Sequence, residues 1–133
     1  TYLEFFMIKW LLPSVAAAFA LLLLPGPALA HAKLVGSTPA ANATVSKVTT
    51  VSLKFNEKLI ASTVKTELVM TGMPGMKDHP PMPIAFTSAM GKEGTSMTLQ
   101  LKRMLVPGTY RVKWSVAGAD THRMGSEFSF TVT

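Results

Sequence analysis

The sequence predicts one all-β domain, a Greek-key sandwich or small barrel of about seven strands. From residue 33 onward, short runs of alternating apolar and polar residues are separated by turn residues, and no helical amphipathic stretch of useful length interrupts them. The chain has no cysteine, so its stability must come from a packed core and not from disulfides. Residues 31–133 are enough for a single core and too few for two domains.

Residues 1–30 resemble a secretory signal and are predicted not to belong to the domain. Lys9 precedes an apolar run at 15–24, and PGPALA ends in the small-x-small pattern that a signal peptidase cuts. A membrane anchor is the alternative, but this apolar run is shorter than the roughly 20 residues of a spanning helix. We expect cleavage after Ala30, which makes His31 the mature N-terminus. If translation starts at Met7, residues 1–6 are not part of the protein.

Four runs have the period of two that is typical of strands with one buried face: 48–55, 95–101, 109–116 and 127–132. Their predicted inward positions are Val51, Leu53, Phe55; Met97, Leu99, Leu101; Tyr110, Val112, Trp114, Val116; and Phe128, Phe130, Val132. Weaker strands are expected near 33–36, 64–70 and 83–87. The segment AGADTHRMGS is predicted to be a hairpin-like link between the last two strands.

The net charge of +6 belongs entirely to residues 31–133, because Lys9 and Glu4 cancel. A basic surface can indicate nucleic-acid binding. Here the lysines and arginines are scattered, without a cluster or interleaved aromatic residues. Nucleic acid is therefore not an expected partner.

The stretch MTGMPGMKDHPPM, residues 70–82, contains four of the nine methionines and one of the three histidines. Proline and glycine predict a surface loop here, in which exposed thioethers gain nothing from burial. Thioether sulfur is soft and neutral, which suits Cu(I), and it binds without losing a proton. We expect a Cu(I) site from Met70, Met73, Met76, His79 and Met82, in a loop that becomes ordered on the metal. For the methionines at 90, 97, 104 and 124, packing in the core or at an edge is favoured.

A second candidate site uses nitrogen and oxygen donors. A mature chain beginning at His31 offers an amine and an imidazole that can chelate one metal ion, and His122 can complete a T-shaped nitrogen set. Asp120 lies two residues before His122, on the same side of an extended backbone, where it can bind the metal or orient an imidazole. Such a set suits Cu(II).

These motifs resemble the CopC/PcoC family of periplasmic copper-binding proteins over the whole mature domain. The matching segments are HAKLVGSTPA after the cleavage site, LKFNEKL, LVMTGMPGM, GTYRVKW, and DTH followed by FSFTV. The resemblance implies a cupredoxin-like Greek-key barrel that carries copper in the periplasm for copper tolerance. It implies Cu(II) at His31, Asp120 and His122, with Glu57 at a family acidic position, and Cu(I) at the methionine loop. As partners it implies membrane or outer-membrane copper transport proteins and a periplasmic multicopper oxidase.

The chain departs from the family pattern at two positions. MKDH has one more residue between the third methionine and the histidine, and Gly118 stands where the family often has serine. The favoured interpretation is a carrier without enzymatic activity. Two alternatives are a copper monooxygenase that uses the N-terminal histidine brace, and a methionine loop that mainly recognises a partner protein.

Overall fold

The computed structural model describes residues 31–133, and the predicted signal segment lies outside this range. Nine strands follow one another in this part of the chain: β1 (Leu34–Thr38), β2 (Thr44–Val45), β3 (Thr50–Phe55), β4 (Lys65–Gly72), β5 (Met82–Pro83), β6 (Phe86–Met90), β7 (Ser96–Leu101), β8 (Gly108–Ala117) and β9 (Arg123–Val132). A single 3₁₀ turn, Ala61–Thr63, precedes β4. Within the described range no helix has the length and apolarity to cross a bilayer.

The strands form two sheets that pack as a sandwich. One has the order β1-β3-β7-β6 and the other the order β2-β9-β8-β4-β5. The chain passes from one sheet to the other five times, after β1, β2, β3, β5 and β7. All pairs are antiparallel except the short parallel pair of β2 with β9. The predicted all-β Greek-key class is confirmed, and the expected seven strands correspond to the seven that have five or more residues.

The core forms where the inward faces of the two sheets meet. Every inward position predicted on β3, β7 and β8 is buried, with at most 7% of its surface exposed, and on β9 Phe130 and Val132 are buried while Phe128 is partly exposed. Tyr110 stacks on Phe130 with ring centroids 5.7 Å apart, and Phe55 meets the edge of Trp114 at 5.2 Å. No polar or charged residue among 31–133 is fully buried. Hydrophobic burial therefore stabilises the sandwich.

Two sequence-based boundaries were wrong. β9 begins at Arg123 and not near residue 127, because Arg123 to Ser126 pair with the end of β8. The link between β8 and β9 is thereby reduced to residues 118–122. Met70 lies in β4, which confirms the strand expected near 64–70, and it is 4% exposed. The loop predicted for 70–82 therefore begins after Met70, which is part of the core.

Candidate metal centres

A cluster of two imidazoles and one carboxylate lies at the end of the sandwich where β8 finishes. Nδ1 of His31 is 2.7 Å from Oδ2 of Asp120, and Nδ1 of His122 is 3.4 Å from the same oxygen. One ligand atom from each of the three residues lies within 4.8 Å of the other two. The imidazole rings are edge to face, with centroids 5.2 Å apart. We call these three residues the polar cluster.

The short connection from β8 to β9 positions two members of the polar cluster. Thr121 adopts a left-handed φ of 65°, and its N–H donates to the Gly118 carbonyl at 2.9 Å. Asp120 Oδ1 accepts from the His122 backbone N–H at 3.1 Å. This bond ties the carboxylate to the turn that carries the second imidazole. Arg123 then anchors the start of β9 through Ser115 Oγ at 2.7 Å.

Asn56, just after β3, holds the segment that carries His31. Its Oδ1 accepts from the Lys33 N–H at 2.8 Å, and its Nδ2 donates to the His31 carbonyl at 3.2 Å. Its own backbone N–H donates to the Lys33 carbonyl at 3.1 Å. Ala32 between them is fully buried. The first residues of the domain are therefore fastened to β3 on both sides of Ala32.

Glu57 lies beside the polar cluster but outside it. Its Oε1 is buried and has no hydrogen-bond partner among the described residues. The carboxylate packs against the bare Cα of Gly118, and a Cβ at that position would overlap Oε1. Gly118 also forms a bridge with Leu59, which brings the two segments together. A buried carboxylate oxygen without a donor is costly, so Oε1 of Glu57 retains an unused capacity to accept a hydrogen bond or a cation.

The polar cluster carries a negative charge that attracts a cation. Partial burial by itself would raise the pKa of Asp120, but the His122 N–H and the two imidazoles hydrogen-bonded to it hold that pKa below its ordinary value. The carboxylate is therefore anionic at neutral pH. Side-chain exposure is 41% for His31 and 65% for His122, so an ion can approach from solvent. Imidazole nitrogen with carboxylate oxygen suits Cu(II) and other borderline divalent ions.

Chelation by the amine and Nδ1 of His31 would require one change in this arrangement. In the structure Nδ1 of His31 is hydrogen-bonded to Asp120. Coordination through that nitrogen must replace the bond and release any proton it carries.

The methionines meet in an open groove of about 880 Å³ near the start of β8. Met70 on β4 and Met82 on β5 are direct partners in an antiparallel pair, so their side chains share one face of the sheet. Met73 and Met104 also line the groove, and Tyr110 is part of its wall. We call the surface lined by Met70, Met73, Met82 and Met104 the methionine groove.

Met73 and Met76 flank a tight turn. Their backbones exchange two hydrogen bonds of 2.9 Å across Pro74 and Gly75, and Gly75 has a φ of 82°. Proline followed by a glycine with positive φ is typical of a type II turn. The prediction of an irregular loop here is therefore corrected. The stretch contains a defined turn closed by a bridge between Met73 and Met76, and Met82 at its end pairs with Met70 of β4. Met76 is 55% exposed but does not line the groove.

His79 also lies outside the lining of the groove. Its Nδ1 is 2.8 Å from the Pro80 carbonyl, which requires that nitrogen to carry a proton. Its Nε2 is buried without a partner among the described residues.

Sequence reasoning missed Asn56 and Met104. Core or edge packing was favoured for Met104, but its side chain is 57% exposed. Met90 and Met124 do pack against the core, and Met97 is buried. The one available signal for Met104 was its place in LKRMLVPG, between charged residues and a proline, where an inward-facing strand is not expected.

Fold and site together define a β-sandwich protein with imidazole and carboxylate donors grouped at its surface. Residues 34–133 match the family model described as the CopC domain, and the chain belongs to this family. It is 46% identical over 105 residues to Copper resistance protein C of Xanthomonas campestris pv. juglandis, covering 79% of this chain and 82% of that protein. It is 39% identical to Copper resistance protein C of Escherichia coli, covering 79% and 83%.

Solved structures agree with this assignment. The crystal structure of PcoC, a methionine-rich copper resistance protein from Escherichia coli, superposes with a TM-score of 0.71 at 36% identity, covering 78% of this chain and all of that one. CopC from Methylosinus trichosporium OB3b gives a TM-score of 0.62 at 22% identity, covering 77% and 93%. The second likeness concerns the fold alone.

Proposed function

We propose that this protein is a copper-binding carrier in copper resistance, with separate sites for Cu(II) and Cu(I). The observation that carries the proposal is the polar cluster, in which His31, Asp120 and His122 bring ligand atoms within 4.8 Å of one another. Membership in a family whose relatives are copper resistance proteins supports copper as the cargo.

In the proposed Cu(II) site, His122 and the mature N-terminal His31 supply nitrogen, and Asp120 supplies an anionic oxygen. The short β8–β9 turn and Asn56 hold these donors close together before the metal arrives. Glu57 is proposed as a further oxygen donor, because its buried Oε1 lacks a partner. Binding displaces protons from the nitrogens, so affinity for Cu(II) should fall as the pH falls.

In the proposed Cu(I) site, thioether sulfur is the donor. Met70, Met73 and Met82 line one groove. Met76 and His79, which follow Met73 in the same stretch, are proposed as further donors. Soft, uncharged ligands favour Cu(I) over hard divalent ions. The two oxidation states are thereby matched to two different donor sets.

The proposed location is the periplasm, reached through cleavage of the signal at Ala30. Proposed partners are membrane or outer-membrane copper transport proteins and a multicopper oxidase.

An oxygen-activating enzyme acting on polysaccharide is less well supported. Among residues 31–133 the large apolar side chains that are exposed are valines and methionines, so the described surface offers no aromatic row for a glycan.

The test is metal counting on the exported protein by native mass spectrometry, with one equivalent of Cu(II) and then of Cu(I), together with the electron paramagnetic resonance spectrum of Cu(II). His122→Ala should weaken Cu(II) binding by about 100-fold, at the upper end of the loss seen when partners of a metal site are removed. Cu(I) binding should stay within about twofold. His79→Ala, at the third histidine, is the matched control and should leave the Cu(II) spectrum unchanged. Retention of the full Cu(II) spectrum in both His31→Ala and His122→Ala contradicts the proposal.

A further inference from the structure

Met104 lies far in sequence from the methionine-rich stretch but faces it in space. It belongs to the connection between β7 and β8, and this connection lines the groove together with Met73 and Pro74 of the 73–76 turn. Six large apolar residues of 31–133 are markedly exposed, and four of them are methionines. Three of these four, Met73, Met82 and Met104, line the same groove. A single exposed methionine needs no explanation, but three on one groove with a fourth sulfur beneath them indicate a shared role.

The backbone on either side of Met104 is held in place. The Lys102 N–H donates to the Ala85 carbonyl at 3.1 Å, and the Leu105 N–H donates to the Val48 carbonyl at 3.0 Å. The Tyr110 hydroxyl donates to the Val106 carbonyl at 2.6 Å. The thioether is therefore a flexible side chain on an anchored backbone, and it can adjust to an ion without moving the connection.

The charge of the groove favours one kind of ion. No carboxylate or imidazole lines it, and Lys102 and Arg103 lie at its rim with both side chains exposed. Nearby positive charge lowers the affinity for any cation, and it does so more for a divalent than for a monovalent ion. The donor sulfurs must supply the affinity by their softness, which suits Cu(I) or Ag(I) and not Zn²⁺ or Mg²⁺.

We infer that Met104 is a further sulfur ligand of the soft-metal site, so that Met70, Met73, Met82 and Met104 bind one monovalent soft cation between β4, β5 and the β7–β8 connection. The inference rests on the proposed function, because it completes the proposed Cu(I) site. Met104 takes a place that Met76 and His79 do not occupy in this conformation, since neither lines the groove. All four sulfurs of this site belong to side chains that line the groove.

The test follows the methionine methyl groups by NMR. The mature protein, labelled with ¹³C at the methionine ε-methyl groups, is titrated to one equivalent of Ag(I), a soft monovalent ion that does not change oxidation state in air. The Met104 signal should shift together with those of Met70, Met73 and Met82, while that of Met97, buried in β7, should not move. A stationary Met104 signal beside shifting signals of the other three overturns the inference and leaves the proposed Cu(I) site standing. Absence of any shift contradicts both.

A variant gives an independent measurement. Met104→Leu keeps volume and apolarity and removes only the sulfur, and at an exposed position it should fold normally. Loss of an outer-shell partner costs about 10–100-fold in metal affinity, so loss of a ligand should lower Ag(I) affinity by at least about tenfold. Met90→Leu, the same change outside the groove, should leave affinity unchanged. Equal affinities of Met104→Leu and the unmodified protein contradict the inference.

Discussion

The polar cluster and the methionine groove lie toward opposite ends of β8 and are built in different ways. Tyr110 near the start of β8 lines the groove, and Ala117 at its end leads into the turn with Asp120 and His122. At about 3.4 Å per residue, Tyr110 and Ala117 are roughly 24 Å apart along the strand. The polar cluster is tied together by hydrogen bonds of 2.7 and 3.1 Å. In the groove only the backbones are positioned, by strand register for Met70 and Met82 and by backbone hydrogen bonds near Met73 and Met104.

This difference follows from the chemistry of the donors. Imidazole and carboxylate groups hydrogen-bond to one another and to the backbone, so the fold can fix their positions before a metal arrives. Thioethers are weak acceptors, so the fold can bring their side chains to one surface but cannot fix their orientation. Substitutions near the cluster should therefore act through geometry, and substitutions in the groove should act through the number of sulfurs.

Gly118 provides the strongest test of geometric control at the cluster. A Cβ at this position would lie 2.8 Å from the Glu57 Cδ and would overlap Oε1. Gly118→Ala should therefore lower the free energy of unfolding of the metal-free protein by about 1–3 kcal/mol, the usual cost of overpacking. In the background of Glu57→Ala the same change should cost much less, because the space is free. Urea unfolding of the four proteins of this cycle measures the difference.

Gly36→Ala is the matched control, since nothing lies within 4 Å of a Cβ there. Two outcomes would show that the contact with the Glu57 carboxylate does not cause the loss of stability. One is a similar decrease in the free energy of unfolding for Gly36→Ala, and the other is an equal decrease for Gly118→Ala in the Glu57→Ala background. The single variant Glu57→Ala also tests the proposed oxygen donor. Lower Cu(II) affinity supports Glu57 as a ligand, and unchanged affinity removes it from the set.

Asn56 tests whether fastening the N-terminal segment matters for the metal. Asn56→Ala removes two side-chain hydrogen bonds to the backbone of His31 and Lys33. Each is worth about 0.5–1.5 kcal/mol, so the segment should become mobile. Affinity for Cu(II) should then fall by about tenfold, which corresponds to about 1.4 kcal/mol. Competition with a chromophoric chelator measures it.

Gln100→Ala is a suitable control for Asn56→Ala, because it removes an exposed hydrogen bond from the Gln100 side-chain amide to the Thr49 carbonyl. Cu(II) affinity should not change in this variant, and Ag(I) affinity should not change in either one. Equal Cu(II) affinities for Asn56→Ala and the unmodified protein would show that the segment is held by the buried Ala32 alone.

Alternation of apolar and polar residues within single strands predicted most of the fold. The features that it did not predict depend on which strands pair and on where the chain crosses between the sheets. Inward positions such as Leu53 and Val112 follow from alternation within one strand, which any single run reveals. The polar cluster was predictable because Asp120 and His122 are close in sequence and the signal pattern drew attention to His31. Met104 reaches the groove only because the chain crosses between sheets after β7, and nothing local encodes that meeting. The early start of β9 likewise depends on pairing with β8.

Tyr110 tests the groove with the smallest expected effect. Its hydroxyl, buried in the core, donates to the Val106 carbonyl at 2.6 Å and ties the wall that carries Met104 to β8. Tyr110→Phe should lower the free energy of unfolding by about 1 kcal/mol, the net worth of one hydrogen bond. Ag(I) affinity should change little, because no sulfur is lost. Urea unfolding and the same Ag(I) titration measure the two effects, and a tenfold loss of Ag(I) affinity would contradict the view that the groove acts through sulfur number.

The effect of pH on this tyrosine has a definite sign. Burial raises the pKa of Tyr110 above its ordinary value of 10.0. A raised pKa means that the folded state favours the neutral phenol, so its contribution to stability is complete below pH 10 and is lost as the pH rises from there through the folded-state value. The difference in free energy of unfolding between the unmodified protein and Tyr110→Phe should therefore decrease as the pH rises above 10. Tyr110 is the one tyrosine of residues 31–133, so tyrosinate absorbance of the mature protein follows its ionisation directly. Ionisation near pH 10 in the folded protein would show that the hydroxyl is open to solvent and that the wall of the groove is not tied to β8.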